Sequence, residues 1–180
     1  MLALSSQVVD GAVSESGGRA LDLLRAALPT VDARGRKCLV GSAAGTGAPG
    51  GLAQSYKRLV HAVPPFRSAG DWAPLLARTY DAALHLAANG TEAAAGPRPA
   101  DVGQGGDGGF STTTVAAPLL GAGARGAKAG EAAAVAVAAI TAWRGRPGAR
   151  AGPLVRFGCI EKHAVDCLEA AVKGSGQWEC

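Results

Sequence analysis

Three glycines carry the clearest chemical signal in this chain. Gly121, Gly123 and Gly126 form a G-x-G-x-x-G pattern within residues 119–128. Glycines at this spacing let the backbone approach a pyrophosphate closely, so that amide groups and the dipole of a following helix point at its oxygens. In a chain with 27 Gly such a pattern also arises easily by chance, so a plain tight turn is the alternative.

The elements on either side of the glycines decide what they predict. Residues 112–120 are β-branched and then apolar, which indicates a buried strand, and the alanine-rich residues 131–143 predict a buried helix. A Rossmann dinucleotide site would also need an acidic residue about 20 positions further on. No Asp or Glu lies between Glu131 and Glu161. The pattern therefore argues against a Rossmann site and leaves open a phosphate-bearing nucleotide ligand held by a different fold.

The rest of the chain alternates between helical and strand patterns. Glycine-rich residues 41–51 predict a loop, and residues 89–110 lose all periodicity and predict a low-complexity insertion. This alternation predicts an α/β fold with a largely parallel sheet covered by helices, within a single domain spanning residues 1–180. The other predicted elements are helices over 17–28, 72–88 (after Asp71) and 161–173 (ending at Gly174), and strands over 58–63 and 153–160.

The composition excludes several classes of protein. Leu, Ile, Val and Phe together number 36 of 180 residues, so the core must be modest and padded with alanine. Aromatic residues make up only 4% and the 18 Lys and Arg are scattered, so a nucleic-acid partner is not expected. No apolar run approaches the about 18 residues that span a bilayer. Residues 1–10 lack the positive charge of a secretory signal. We therefore expect no membrane partner and a soluble intracellular protein, cytoplasmic or nuclear, with an organelle left open.

Cysteine and histidine spacing does not predict a metal site. The four cysteines form no C-x-x-C pair, and the three histidines lie far apart. His163 and Cys167 have a spacing that suits two metal ligands on one helix, but the sequence offers no second pair to complete a tetrahedron. We expect reduced structural thiols, no metal and no cofactor.

Four blocks of the chain, in order, resemble the macro domain family, whose members bind ADP-ribose and in some branches remove ADP-ribose from proteins. Residues 9–13 are similar to the family's V-D-G-A-I, and residues 38–43 with 58–63 to its C-x-x-G-x-A and V-I-H-x-V segments. Residues 117–126 look like its diphosphate loop, and 155–172 like its closing strand and helix. The resemblance implies a three-layer α/β/α macro-domain-like sheet.

The chain also departs from the family pattern. It starts only nine residues before Asp10, so we expect an N-terminally truncated fold that lacks the first strand with its adenine-holding Asp. No asparagine in residues 1–6 stands for the N-A-A-N motif. In the loop, the family's Thr or Ser is Ala122 and its aromatic residue is Arg125; in the first helix, Ser14 replaces a frequent histidine.

The resemblance implies a role for particular residues. Asp10 would lie near the distal ribose and orient or activate the attacking water; the alternative is that it caps a helix N-terminus. Arg125 would pair with phosphate, unless it is a solvent-facing loop residue. His61 is interpreted as a core histidine rather than a general base. The implied ligand-binding residues are Gly11, Gly121, Ala122, Gly123, Ala124, Arg125 and Gly126.

Three functions follow from these observations. The first is binding of ADP-ribose or a mono-ADP-ribosylated protein, with weak or lost mono-ADP-ribosyl hydrolase activity, because the missing asparagine would misplace the ligand and a small misplacement can cost about 10²-fold in rate. The second is a degenerate macro-like scaffold that binds no ligand. The third is a generic nucleotide- or phosphate-binding α/β enzyme, which rests on the glycine pattern alone.

Overall fold

The computed structural model describes residues 9–89, 114–146 and 153–176. All but the first residue of the insertion expected at 89–110 therefore lies outside the described residues. The helices are α1 (Val9–Ala27), α2 (Trp72–Asn89), α3 (Ala129–Arg144) and α4 (Lys162–Ser175), and the strands are β1 (Ser42–Gly47), β2 (Arg58–Val63), β3 (Thr114–Ala117) and β4 (Leu154–Phe157). Short 3-10 turns cover Gly50–Gln54 and Gly123–Arg125.

The strands form two small sheets. β1 and β2 pair antiparallel, with Ser42 opposite Val63, and β3 and β4 pair parallel, with Thr114 opposite Leu154. The α/β class is thus confirmed. A single largely parallel sheet is wrong for the described residues, because β1 and β2 are joined by a short connection that reverses the chain rather than by a crossover helix.

The prediction of a loop over 41–51 is also wrong, since most of this segment is strand β1. Its small side chains gave no strand signal, yet they allow α2 to pack against the strand, where Ala44 is buried. Arg78 of α2 donates from Nε to the carbonyl oxygen of Gly41 at 3.2 Å and from Nη2 to that of Val40 at 3.2 Å. Contacts with a distant helix therefore stabilise a strand that local propensity does not favour.

The core lies between α2, α3 and α4. The predicted apolar face of α2 is confirmed, because Leu76, Tyr80 and Leu84 are all buried. Opposite them, α3 presents three alanines with no exposed surface, and α4 contributes Leu168. Methyl side chains let the helices approach closely, which compensates for the shortage of large apolar residues. The three alanines are Ala132, Ala133 and Ala136.

The helix ends differ from the predictions at both termini of the described chain. α1 begins at Val9, eight residues before the predicted start. The prediction missed the first two turns because they carry little apolar periodicity. α4 ends at Ser175 and is capped by Gly176, whose φ of 64° is left-handed; the predicted cap was Gly174.

Helix α1 is folded back on itself at Gly18. Asp10 and Arg25 are 15 residues apart, which would separate them by about 22 Å along a straight helix. Instead, Nη2 of Arg25 lies 2.8 Å from Oδ1 of Asp10. The reversal occurs at Gly18, whose φ of 52° and ψ of −156° belong to a region that is essentially restricted to glycine.

We predict that Gly18→Ala lowers the free energy of unfolding by about 1–3 kcal/mol, because a Cβ strains this backbone conformation. Urea denaturation followed by circular dichroism measures the change. Gly70→Ala is the matched control, since Gly70 has open space for a Cβ and no positive φ. Equal stability of the two variants would show that the reversal at Gly18 is not strained.

Candidate functional site

The glycine pattern forms the turn between β3 and α3, as the sequence predicts. Gly121, Gly123 and Gly126 have φ values of 87°, 66° and 82°, a region that L side chains rarely adopt. The turn closes on itself through two hydrogen bonds: the Gly126 amide donates to the Gly123 carbonyl at 2.8 Å, and the Ala127 amide to the Gly121 carbonyl at 3.1 Å. Each glycine therefore has a backbone conformation that explains its residue type.

The amides of Ala122 and Ala124 belong to the same turn. The hydrogen bonds that close the turn use the amides of Gly126 and Ala127 as donors, and those of Ala122 and Ala124 take no part in them. Both lie just before α3, whose N-terminus adds a partial positive charge. Backbone amides beside a helix N-terminus favour binding of an anion.

Helix α2 packs against the glycine turn and supports it. The Leu120 amide donates to the hydroxyl of Tyr80 at 2.9 Å, and Tyr80 itself is only 3% exposed. Burial raises the pKa of Tyr80, so its phenol stays neutral. A Cβ at Gly121 would lie 3.0 Å from a methyl carbon of Leu76, so the turn rests directly on α2.

The segment after β2 lies beside the glycine turn, and the two form opposite walls of a cleft. The Arg67 amide donates to the carbonyl oxygen of Arg125 at 2.8 Å, which joins the two walls. The Arg67 guanidinium donates from Nε and Nη2 to Glu131 of α3 at 3.0 and 3.1 Å, and it lies 4.6 Å from the ring centroid of Trp72. These hydrogen bonds raise the pKa of Arg67 and lower that of Glu131. The charge of Arg67 is therefore already compensated.

Arg125 is placed differently. Its guanidinium carbon lies 4.4 Å from the ring centroid of Phe66, and among the described residues no carboxylate pairs with it. The glycine turn and the segment after β2 border a shallow, open cleft of about 450 Å³, lined by residues 66–68 and 124–126. A guanidinium that pairs with no carboxylate among the described residues suits an anionic ligand such as a phosphate.

Asp10 and Gly11 lie in the first turn of α1. Asp10 is 77% exposed and pairs with Arg25, whose Nη1 also donates to Ser14 at 2.7 Å. Because α1 begins at Val9, Asp10 lies within the first turn and not at the position that caps the helix. Its negative charge there interacts favourably with the helix dipole. No hydrogen bond or ion pair within the described ranges joins Asp10 or Gly11 to the glycine turn.

His61 is a structural residue of the antiparallel sheet. Its Nε2 lies 2.8 Å from Oγ1 of Thr46 on the neighbouring strand. Burial lowers the pKa of His61, the positive charge of Arg25 lowers it further, and Asp10 partly offsets both. A neutral imidazole bonded to Thr46 agrees with the interpretation of His61 as a core residue.

The wall formed by Phe66 and Arg67 was not predicted from the sequence. The only local signal was an aromatic and a basic residue directly after Pro64 and Pro65, at the end of a predicted strand. Tyr80 was predicted for the core but not as the support of the turn. Both roles depend on contacts between residues that are 40 or more positions apart.

Comparison with solved structures shows that this chain has the macrodomain fold. An Asn-to-Ala mutant of the Oceanobacillus iheyensis macrodomain matches with a TM-score of 0.69 and 19% identity, over 94% of this chain and 74% of that one. A Gly-to-Val mutant of the same protein, with ADPR, gives 0.67 and 18%, over 95% and 79%. The Trypanosoma brucei macrodomain in complex with ADP gives 0.65 and 17%, over 92% and 56%. No protein-family model and no curated protein matches the chain.

The described residues contain neither a complete metal-binding group nor a helix that could span a membrane. Sγ of Cys167 lies 3.7 Å from Nε2 of His163, but no third Cys, His, Asp or Glu in the described ranges completes a metal-binding group. No helix in the same ranges is both long and apolar enough to cross a membrane.

We predict that Tyr80→Phe lowers the free energy of unfolding by about 1–2 kcal/mol, because the Leu120 amide loses its buried acceptor. Thermal or urea denaturation measures the change. Tyr56→Phe is the control, since Tyr56 is 46% exposed. A loss of similar size in both variants would contradict a supporting role for the Tyr80 hydroxyl.

His61 predicts how stability depends on pH. Since its pKa is lowered in the folded protein, the unfolded chain binds more protons near the ordinary value of 6.5. Folding therefore becomes less favourable as the pH falls below this value, because protonation of His61 stabilises the unfolded chain more than the folded protein. We expect His61→Gln to flatten the decline in unfolding free energy between about pH 7 and about pH 5. Exposed His163→Gln is the control, and parallel pH profiles for wild type and His61→Gln would refute the prediction.

Proposed function

We propose that this chain binds ADP-ribose, either free or attached to a protein, with its diphosphate on the glycine turn. The observation that carries the proposal is the turn itself: three left-handed glycines just before α3, whose closing hydrogen bonds do not use the amides of Ala122 and Ala124. The macrodomain fold supports it, since similar structures were solved with ADPR and with ADP. In this proposal, residues 1–180 act as one domain built around this site.

The chemistry of the turn suits a diphosphate. The amides of Ala122 and Ala124 would donate to phosphate oxygens, while the glycines on either side keep side chains away from the ligand. Arg125 would add a full positive charge beside the diphosphate, in the cleft that Ala124 also lines.

Hydrolysis is the weaker part of the proposal. Asp10 is the residue assigned to it, where it would orient a water molecule near the distal ribose. Its carboxylate is 77% exposed, and one of its oxygens is already engaged by Arg25. We therefore propose binding as the main function, with any de-ADP-ribosylation slow and abolished by Asp10→Ala.

Calorimetric titration of the folded chain tests the proposal, with ADP-ribose as the ligand and AMP as the comparison. We expect saturable binding of ADP-ribose that is clearly tighter than that of AMP. Gly123→Ala should weaken ADP-ribose binding at least about tenfold, because a Cβ at a φ of 66° distorts the turn that positions the amides.

Gly35→Ala is the matched control. Gly35 also has a positive φ, 75°, and open space for a Cβ, but it lies in the connection between α1 and β1. It should lose comparable stability and keep the affinity for ADP-ribose. A folded wild-type chain that releases no heat would indicate a non-binding scaffold, and a preference for ATP or NAD would indicate a generic nucleotide site.

A further inference from the structure

We propose that the site selects mono-ADP-ribosylated proteins whose modified residue is flanked by acidic side chains, and that Arg125 is the residue that selects them. This inference rests on the proposed binding of ADP-ribose to the glycine turn. It adds the class of partner, and it follows from the charge and shape of the cleft beside the turn.

The two arginines of the cleft differ in what they leave for a ligand. Arg67 makes a two-point ion pair with Glu131 and lies over Trp72, so its charge is compensated within the protein. Arg125 contacts the Phe66 ring, and no carboxylate in the described chain neutralises it. The cleft therefore carries one uncompensated positive charge.

The position of Arg125 indicates that its charge would bind a group next to the diphosphate. The amides of Ala122 and Ala124 lie in the turn, whereas the Arg125 side chain extends across the cleft to Phe66 on the opposite wall. Stacking on an aromatic ring holds a guanidinium in one plane and leaves its donors free for a bidentate partner. A carboxylate is the side-chain group that matches this fork.

The shape of the cleft argues for a polypeptide. The cleft is open to solvent, with a volume of about 450 Å³, so a chain can continue beyond it in either direction. Its walls combine an aromatic ring that is 57% exposed, Phe66, with the hydroxyl-bearing Ser68. An acidic side chain can lay its methylene groups on the ring and its carboxylate on Arg125, whereas a basic one would be repelled.

Two mono-ADP-ribosylated peptides test the inference. They carry the same modified residue and differ only in flanking residues, Glu in one and Gln in the other. We expect the full chain to bind the acidic peptide about tenfold more tightly, and the preference to shrink as salt is added. Arg125→Ala should reduce the ratio of the two affinities to about one, and Arg125→Lys should leave it intermediate because the planar fork is lost.

Further variants separate charge from position. Phe66→Leu removes the ring that orients Arg125 and should lower the ratio while the charge stays in place. Arg34→Ala removes an exposed arginine of the connection between α1 and β1 and should leave the ratio as in wild type. A ratio near one in the wild-type chain, or an equal ratio after Arg125→Ala, would overturn the inference.

Free ADP-ribose and ADP complete the experiment. If free ADP-ribose binds but the two peptides bind equally, the proposed function stands and the acidic preference is wrong. If ADP binds more tightly than ADP-ribose and this gain depends on Arg125, the cleft recognises the free terminal phosphate and not a peptide. If the folded chain binds none of these ligands, both proposals fail.

Discussion

Helix α2 is the element on which the fold and the site both depend. One part of it packs against the antiparallel strands, where Arg78 holds the carbonyl groups of Val40 and Gly41. Its buried face packs against α3, and there Tyr80 and Leu76 support the glycine turn. The turn has no strand partner of its own within the described residues beyond the single Ala122–Ala127 bridge. Besides its own hydrogen bonds and the one from the Arg67 amide, the turn is supported from α2 by the buried hydroxyl of Tyr80, and Leu76 leaves little room for a side chain at Gly121.

Much of this arrangement could be predicted from the residues. Leu76, Tyr80 and Leu84 recur at helical spacing, so α2 and its buried face follow from periodicity alone. The glycine turn was predicted from three residues whose positive φ values explain why no other type stands there. Strand β2 and the parallel pair β3 and β4 also have β-branched and apolar patterns. In each case the local pattern and the tertiary environment favour the same structure.

The parts that could not be predicted depend on long-range contacts. Strand β1 has the composition of a loop, and it exists because β2 and α2 pack against it. The reversal of α1 depends on one glycine in the middle of a helical pattern, which the sequence does not distinguish from an ordinary helix interior. The stack of Arg125 on Phe66 joins residues from opposite walls of the cleft, so neither residue signals it alone.

The three fully buried alanines of α3 have a further consequence for the precision of the site. Each of these side chains is a single methyl group and has no rotamer to change. The distance between α3 and its neighbours is therefore set by the α3 backbone and its methyl groups, in contact with the side chains that face them. Only the side chains that face the alanines, such as Leu76 and Leu168, can change rotamer at this interface. The alanine face thus helps to position α3, and with it the glycine turn that precedes the helix, although the protein has few large apolar residues.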